Sequence, residues 1–206
     1  LMIHGSDLHL PAMTQSSPRE LILNAAMERI LHYGYAKTTM AEIARDCDMS
    51  AGNIYRFFDS KLDIAEALAR SKTSQTFRIF AEIADRKDES ALDRLSELFM
   101  KRLCRSVDML KDKPKLMEVA EVIGRERPEF GQELLDNERI HIAEILKQGM
   151  ETGEIRQLSA PEKTARLFQT ALIKFEYPPL WTLFPPEELE TELKELLHML
   201  KLSLRP

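Results

Sequence analysis

Residues 38–62 read TTMAEIARDCDMSAGNIYRFFDSKL, and the spacing of apolar residues in this run decides how the rest of the chain is read. At roughly 100° per residue, Met40, Ile43, Ala44 and Cys47 share one side of a first helix. Ala51, Ile54, Phe57 and Phe58 share one side of a second, and Asp48-Met49-Ser50 separates the two. Thr39 followed by Glu42 is a capping-box start: the hydroxyl accepts from an orphan amide while the carboxylate reaches back to the cap's own amide. Ser50 starts the second helix in the same way. Two short helices joined by a tight turn have the dimensions of a unit that reads DNA through the major groove.

The residues left outside the apolar side carry the chemistry. Gly52, Asn53 and Arg56 project away from it, with Tyr55 on the flank. Arginine bonds a guanine edge in two places, asparagine an adenine edge, and glycine lets the backbone approach the groove wall. The plain alternative is a pair of core helices with a solvated face. Caps, turn and flanking residues occurring together favour the reading surface.

Gly34-Tyr35, Thr38-Thr39, Ile43-Ala44, Met49-Ser50, Gly52-Asn53-Ile54-Tyr55, Phe58 and Ser60-Lys61 together resemble the amino-terminal helix-turn-helix domain of the tetracycline-repressor (TetR) family of transcription regulators. The resemblance is specific over Ser17 to Ala69. It implies that Thr39, Tyr55 and Lys61 touch DNA phosphates and that the exposed residues after Ser50 enter the major groove. The expected DNA-contacting set is Lys37, Thr38, Thr39, Arg45, Ser50, Ala51, Gly52, Asn53, Tyr55, Arg56 and Lys61. Two positions depart from the family pattern. Asp48 stands where a turn glycine is usual, and aspartate tolerates a left-handed backbone better than most residues. Phe57 stands where a second tyrosine is common, which removes one possible phosphate contact.

The chain has 206 residues, 44% of them hydrophobic, enough for a large core in one or two domains. It has no apolar run near the roughly 18 residues of a membrane span and no signal-peptide pattern, so a soluble cytoplasmic protein is expected. Cys47 and Cys104 are isolated, without CxxC spacing, which argues against a disulfide or a zinc site. Cys47 is read as a small buried hydrophobe rather than a redox sensor. Net charge is −5. Between Met13 and Thr73, eight basic residues balance eight acidic ones. DNA binding therefore has to come from local placement of Lys37, Arg45, Arg56 and Lys61, with steep dependence on salt.

Residues 1–16 lack a helical period and read as a flexible arm or a remainder of cloning, with Met13 a plausible start. A helix-turn-helix domain is expected over 17–60. Ser17-Pro18-Arg19-Glu20 opens its first helix, which stops at Gly34 and packs through Ile22, Ala26, Ile30 and Tyr33. A helical regulatory, ligand-binding and dimerisation domain is expected over 61–206. Its first helix, from Lys61 to about Arg86, contains no proline or glycine. Ile64, Ala65 and Leu68 face the DNA unit, while Phe77, Phe80, Ile83 and Ala84 face the later helices. Further helices run from Ser90 to about Leu110, after Pro114 to about Gly124, from Pro128 to Glu151, from a Ser159 cap to Tyr177, and from Pro185-Pro186 to the end. The fold class is all-α with about nine helices.

On the last helix Leu189, Leu193, Leu196, Leu197, Leu200 and Leu204 fall within a sector of roughly 100°. A stripe that wide packs either on the chain's own core or on a second copy. In the family the last two helices pair with their symmetry mates, which implies a homodimer joined through Phe168, Leu172, Leu189, Leu193, Leu196, Leu197 and Leu200. The middle helices are expected to enclose an apolar pocket lined by Phe99, Leu103, Met109, Leu110, Met117, Phe168, Leu172, Phe175 and Trp181. Met100, Tyr177 and Phe184 are further candidates. Glu121 stands among the lining residues for a group of polar candidates that also includes Arg105, Glu118, Arg125, Gln169 and Lys174, and nothing in the spacing selects among them.

These features describe a homodimeric regulator, expected to be a repressor, that binds a palindromic operator and is released by a small-molecule inducer. No motif calls for a cofactor or a metal. Two other classes compete with this reading. One is a helical ligand-binding protein without operator activity. The other is a di-iron enzyme, prompted by Glu138-Arg139-Ile140-His141 and Glu195-Leu196-Leu197-His198, both with the ExxH spacing. The helical wheel disfavours the latter, since Glu195 and His198 point roughly 150° away from the leucine stripe.

Overall fold

A hydroxyl sets the start of each of the first five helices. In a computed structural model, which describes residues 17–176, 178–182, 184 and 186–206, Ser17, Thr39, Ser50, Ser60 and Ser90 are the N-caps. They open α1 (Pro18–Tyr33), α2 (Met40–Asp46), α3 (Ala51–Ile54), α4 (Lys61–Asp85) and α5 (Ala91–Asp112). Each accepts a bond from the amide three residues on, which removes one orphan donor per helix. Then come α6 (Leu116–Glu126), α7 (Pro128–Glu151), α8 (Pro161–Ala171), α9 (Ile173–Glu176), a 3-10 turn (Pro178–Thr182) and α10 (Pro186–Leu204). The described residues contain no strand, and the fold is all-α.

Three boundaries differ from the sequence expectation. The helix expected from the Ser159 cap to Tyr177 breaks at Leu172 into α8 and α9, making ten α-helices among the described residues where about nine were expected. Ala160, not Ser159, is the N-cap of α8, and its methyl group has no atom to accept a capping bond; Pro161 in the first turn leaves one fewer amide to satisfy. α6 runs through Gly124 and ends at Glu126. The expectations for residues 1–16 and for Tyr177 fall outside the described residues.

Two apolar clusters organise the helices. One joins Ile22, Ala26, Ile30, Ile43, Ala44, Ile54 and Phe58 with Ile64, Ala65 and Leu68 of α4, and also takes in Leu116, Val119 and Ile123 of α6 and Phe130 of α7. The other joins Phe80, Ile83 and Ala84 of α4 with the inner faces of α5, α7, α8, α9 and α10. α4 thus gives its first half to one core and its second half to the other. The break in packing lies within α4, and α6, although late in sequence, belongs to the first core.

Candidate nucleic-acid interface

The turn between α2 and α3 is built by its hydrogen bonds. Asp48 has φ 54, in the left-handed region. Its amide donates to the Arg45 carbonyl at 3.1 Å and the Met49 amide donates to the Ala44 carbonyl at 2.9 Å. This pair is the Schellman pattern that usually has glycine at the left-handed position. Thr39 and Glu42 complete their capping box, the Thr39 amide donating to Glu42 Oε2 at 3.0 Å. The Thr39 hydroxyl holds the Glu42 carboxyl below the usual carboxylate range. Arg29 of α1 clips α2 in place through Glu42 at 2.9 Å and Asp46 at 2.7 Å.

Only Ile54 and Phe58 of the four residues expected on the inner side of the second helix are buried. α3 ends at Ile54, so Phe57 lies in the turn beyond it, and Ala51 and Phe57 are both exposed. Tyr33, expected in the α1 core stripe, is 49% exposed and lies under the Arg29 guanidinium.

The exposed residues give the site its character. Lys37, Arg45 and Arg56 are exposed and make no ion pair among the described residues. Several nearby acids are engaged: Glu42 and Asp46 with Arg29, Asp63 and Glu66 with Arg127, and Glu66 also with Arg70. Asp48 and Asp59 are exposed and outside these pairs, so the surface presents unpaired cations beside two free carboxylates among the described residues. Tyr55 is 52% exposed, and Ser50, Ala51 and Gly52 are exposed beside a half-buried Asn53. A Cβ built on Gly52 meets nothing within 4 Å, and its φ is not positive. Nothing inside the chain requires glycine there.

Two expected contacts are placed otherwise. Thr38 is fully buried, its hydroxyl donating to the Gly34 carbonyl at 2.9 Å and its amide to the Tyr35 carbonyl, so it has no surface for a phosphate. Lys61 donates to the Tyr35 carbonyl at 2.8 Å and lies 4.1 Å from the Tyr35 ring centroid. Burial pulls its ammonium below the usual lysine range. It fastens α4 to the α1–α2 loop.

The same loop meets α6. Gly34, at φ 88, has the Glu118 carboxylate so near that a Cβ would stand 2.8 Å from Oε1. The Ala36 amide donates to Glu118 Oε2 at 3.2 Å, and Lys115 donates to the His32 carbonyl. A carboxylate and an ammonium from the later half thus hold the loop that leads into the helix-turn-helix and the end of α1 before it. Glu118, a candidate ligand contact from sequence, faces the helix-turn-helix instead.

The expected pocket residues divide between the two cores. Phe99, Leu103, Phe168, Leu172, Phe175 and Trp181 are buried together, with Leu110 packed against them. Met109 packs on the first core, and Glu121 is exposed on α6. Met117 is half-buried and joins neither core. The open clefts lie elsewhere: one of about 560 Å³ between α4 and α5, lined by Ile79, Arg86, Lys101 and Cys104, and one of about 820 Å³ beside Arg19, Arg56 and Arg70. At the centre of the second core lies a polar cluster not anticipated as a unit. Arg102 of α5 pairs with Glu138 of α7 and has Glu176 of α9 at 3.6 Å. Its signal is nonetheless present, since Arg102 follows Leu98 by four residues and Glu138 precedes Ile142 by four, both core spacings.

The expected dimer stripe is mostly internal. Leu189, Leu193 and Leu197 pack inside the second core, as do Phe168 and Leu172, with Leu196 and Leu200 half-buried against it. Packing of α10 on α5 uses up that face. The exposed large apolar residues are instead Leu167, Ile173, Met199 and Leu202, with Ile140 and Phe184. The two ExxH motifs do not converge. Glu138 is taken by Arg102 and Gln169, while Glu195 and His198 are exposed on α10.

No helix among the described residues is long and apolar enough to cross a membrane. Residues 22–68 match the model of bacterial regulatory proteins of the tetR family, and residues 91–197 match that of the tetracyclin repressor-like C-terminal domain. A search of curated proteins found no match. Among solved structures, a transcriptional regulator from Cytophaga hutchinsonii is similar with a TM-score of 0.70, at 21% identity over 91% of this chain and 98% of that one. SmeT, the repressor of the Stenotrophomonas maltophilia multidrug efflux pump SmeDEF, gives 0.65 at 20% identity over 92% and 91%. FadR from Bacillus subtilis, in complex with stearoyl-CoA, gives 0.63 at 22% identity over 87% and 96%. At such identities the likeness is one of fold.

Proposed function

Because this chain belongs to the tetR family of bacterial regulatory proteins, we propose that it is a ligand-responsive repressor that holds a palindromic operator as a homodimer and releases it when a small molecule binds among the later helices. The observation that carries this reading is Gly52, exposed in a helix that has no internal use for a glycine, flanked by Asn53, Tyr55 and the unpaired Arg56. Asn53 and Arg56 would read base edges. Lys37, Thr39, Arg45 and Tyr55 would hold phosphates. The similar SmeT is a repressor, and the similar FadR is a transcriptional regulator that holds stearoyl-CoA; both support the reading.

One short helix reads too few bases, whereas two related by a two-fold axis read half-sites about one helical turn or more apart. The dimer surface proposed is the outer side of α8 to α10. α10 runs antiparallel to the α8–α9 segment, since Lys174 pairs with Glu192 at one end and the Arg156 amide donates to the Leu204 carbonyl at the other. Leu167, Ile173, Met199 and Leu202 are the apolar residues left outward there. Glu118 and Lys115 on the α1–α2 loop supply the coupling: a ligand that prefers one placement of α6 shifts the separation of the two DNA-reading helices.

The test is fluorescence anisotropy with DNA from upstream of the chain's own coding sequence. The parent should bind specifically at low salt. Arg56→Ala should lose about 1–3 kcal/mol at one base position, and Tyr55→Phe should weaken all sequences alike. Absence of any sequence-specific binding by the parent would sink the regulator reading.

A further inference from the structure

The second core encloses two carboxylates and one guanidinium. The side chains of Glu138 and Glu176 are 0% and 3% exposed. Glu138 is held better: Arg102 forms an ion pair with Oε1, which has no hydrogen-bond partner among the described residues, and Gln169 Nε2 donates to Oε2 at 2.9 Å. Gln169 in turn accepts from Arg139 Nε at 3.0 Å and donates to the Leu135 carbonyl. Glu176 is not held. Among the described residues neither of its oxygens has a hydrogen-bond partner, and the cation paired with it, Arg102, is shared with Glu138.

Two carboxylates against one guanidinium leave an excess negative charge in an apolar interior. A carboxylate buried this way either takes up a proton or finds a donor. Burial pushes the Glu176 carboxyl up to about 8, with Arg102 pulling against it and Glu138 adding to the rise. The charged groups facing it are Arg102 from α5 and Glu138 from α7. α8 brings the neutral Gln169 to the cluster, and the Lys174 ammonium on its own helix is turned to Glu192. Aromatic side chains share this core. Phe99 and Phe168 are stacked at 6.2 Å, and Trp181, which donates to the Lys174 carbonyl at 2.9 Å, is buried with Phe175.

We propose that Glu176, with Glu138 behind it, receives the cationic head of the effector, an ammonium or amidinium carried on an apolar body that lies among Phe99, Phe168, Phe175 and Trp181. The proposal rests on the ligand-responsive reading above and names the class of ligand. An ammonium brings several donors and the missing positive charge, so it satisfies both Glu176 oxygens and leaves the cluster neutral. A neutral alcohol offers a single donor, and an anionic head adds to the excess charge. Protons balance in the same way. At pH 7 the unliganded carboxyl carries a proton, and the incoming ammonium displaces it to solvent, one proton per ligand. Affinity for the cation therefore rises with pH and levels off near 8.

The test uses the full chain and three probes with one apolar body: 4-phenylbutylamine, 4-phenylbutanol and 4-phenylbutyrate. Trp181, the single tryptophan, reports binding by fluorescence, and calorimetry in two buffers of different ionisation enthalpy counts protons. The amine should bind tightest, gain close to tenfold (about one decade per pH unit) from pH 6 to 7, and release a proton. Glu176→Gln should lose at least tenfold in amine affinity while melting at a higher temperature than the parent at pH 8. The exposed control Glu195→Gln should keep the amine preference. Equal binding of the three probes, tighter binding of phenylbutyrate, no amine binding at millimolar concentration, or a Glu176→Gln protein that keeps the preference would each overturn the proposal. A Glu176→Gln protein that melts lower would overturn it too, since the carboxylate would then be structural. No DNA enters these measurements. A protein that binds its operator but shows no amine preference refutes the cation site alone, and one with the preference but no operator refutes the regulator alone.

Discussion

Replacing Gly52 by alanine separates what the fold needs from what a partner needs. The added Cβ meets nothing within 4 Å and the backbone is not in the left-handed region, so no strain opposes it. Glycine within a helix is less stable than alanine by roughly 0.5–1 kcal/mol, because it loses more backbone freedom on folding. For a chain of this size 1 kcal/mol corresponds to about 2–4 °C in Tm, so Gly52→Ala should melt about 1–4 °C above the parent. In the proposed operator complex the same methyl group would stand between backbone and groove wall at both half-sites. A loss of only about 1.4 kcal/mol over the two sites is already tenfold in Kd. The assays are calorimetric or circular-dichroism melting and operator anisotropy on the same preparation. A variant that melts higher and binds the operator at least tenfold more weakly supports the reasoning. A lower Tm would mean that the chain itself requires the glycine, and unchanged operator affinity would mean that Gly52 does not face the groove; either result refutes it.

Asp48→Ala should lower stability by about 1 kcal/mol, because a left-handed residue loses its tolerant side chain, whereas Asp48→Gly should not, and urea titration of both separates turn geometry from side-chain contacts. Gly34→Ala should be destabilising through its φ of 88 and the Glu118 carboxylate. Combined with Glu118→Ala, a double-mutant cycle should give a coupling of about 0.5–3 kcal/mol, and strict additivity would show that α6 does not press on the loop. The pH dependence has a definite sign. A carboxyl whose native value is raised to about 8 holds its proton longer folded than unfolded, so its contribution is complete at low pH and fades as pH rises through that value. The Tm difference between Glu176→Gln and the parent should be small at pH 5, widen toward pH 8 and then level off; a constant gap would contradict the raised value.

What was legible in the sequence was local. The caps at Ser17, Thr39, Ser50 and Ser90 depend on a hydroxyl and an amide three residues apart, so they can be read without knowing the fold, and the left-handed Asp48 is set by the turn it sits in. The division of α4 between Ile64-Ala65-Leu68 and Phe80-Ile83-Ala84 was likewise carried by periodicity. What failed was the choice of partner. A leucine stripe shows that a face must be covered and not by what, and on α10 the chain's own α5 covers it. Thr38 and Lys61 failed for a related reason: each is polar and comes after a loop, yet Gly34 and Tyr35 supply carbonyl acceptors that only the folded loop brings near. Glu176 was missed because its cluster draws on α5, α7, α8 and α9, and no window of sequence contains it.

The placement of α6 bears on how such DNA-reading units can be exchanged between relatives. Leu116, Val119 and Ile123 of α6, with Phe130 just after it on α7, complete the same core as Ile22, Ile43 and Ile54. At about 1.5–3 kcal/mol for each buried apolar side chain, the four are comparable with the whole stability of a small domain, roughly 5–15 kcal/mol. A fragment ending with α4 would be left with an open seam along its core. A chimaera that grafts this helix-turn-helix onto another regulatory half inherits a foreign α6 against Gly34 and the first core, so recombination must carry that helix along or redesign the seam. The DNA-reading unit is local in sequence, but the unit of inheritance is that segment together with the helix that closes it.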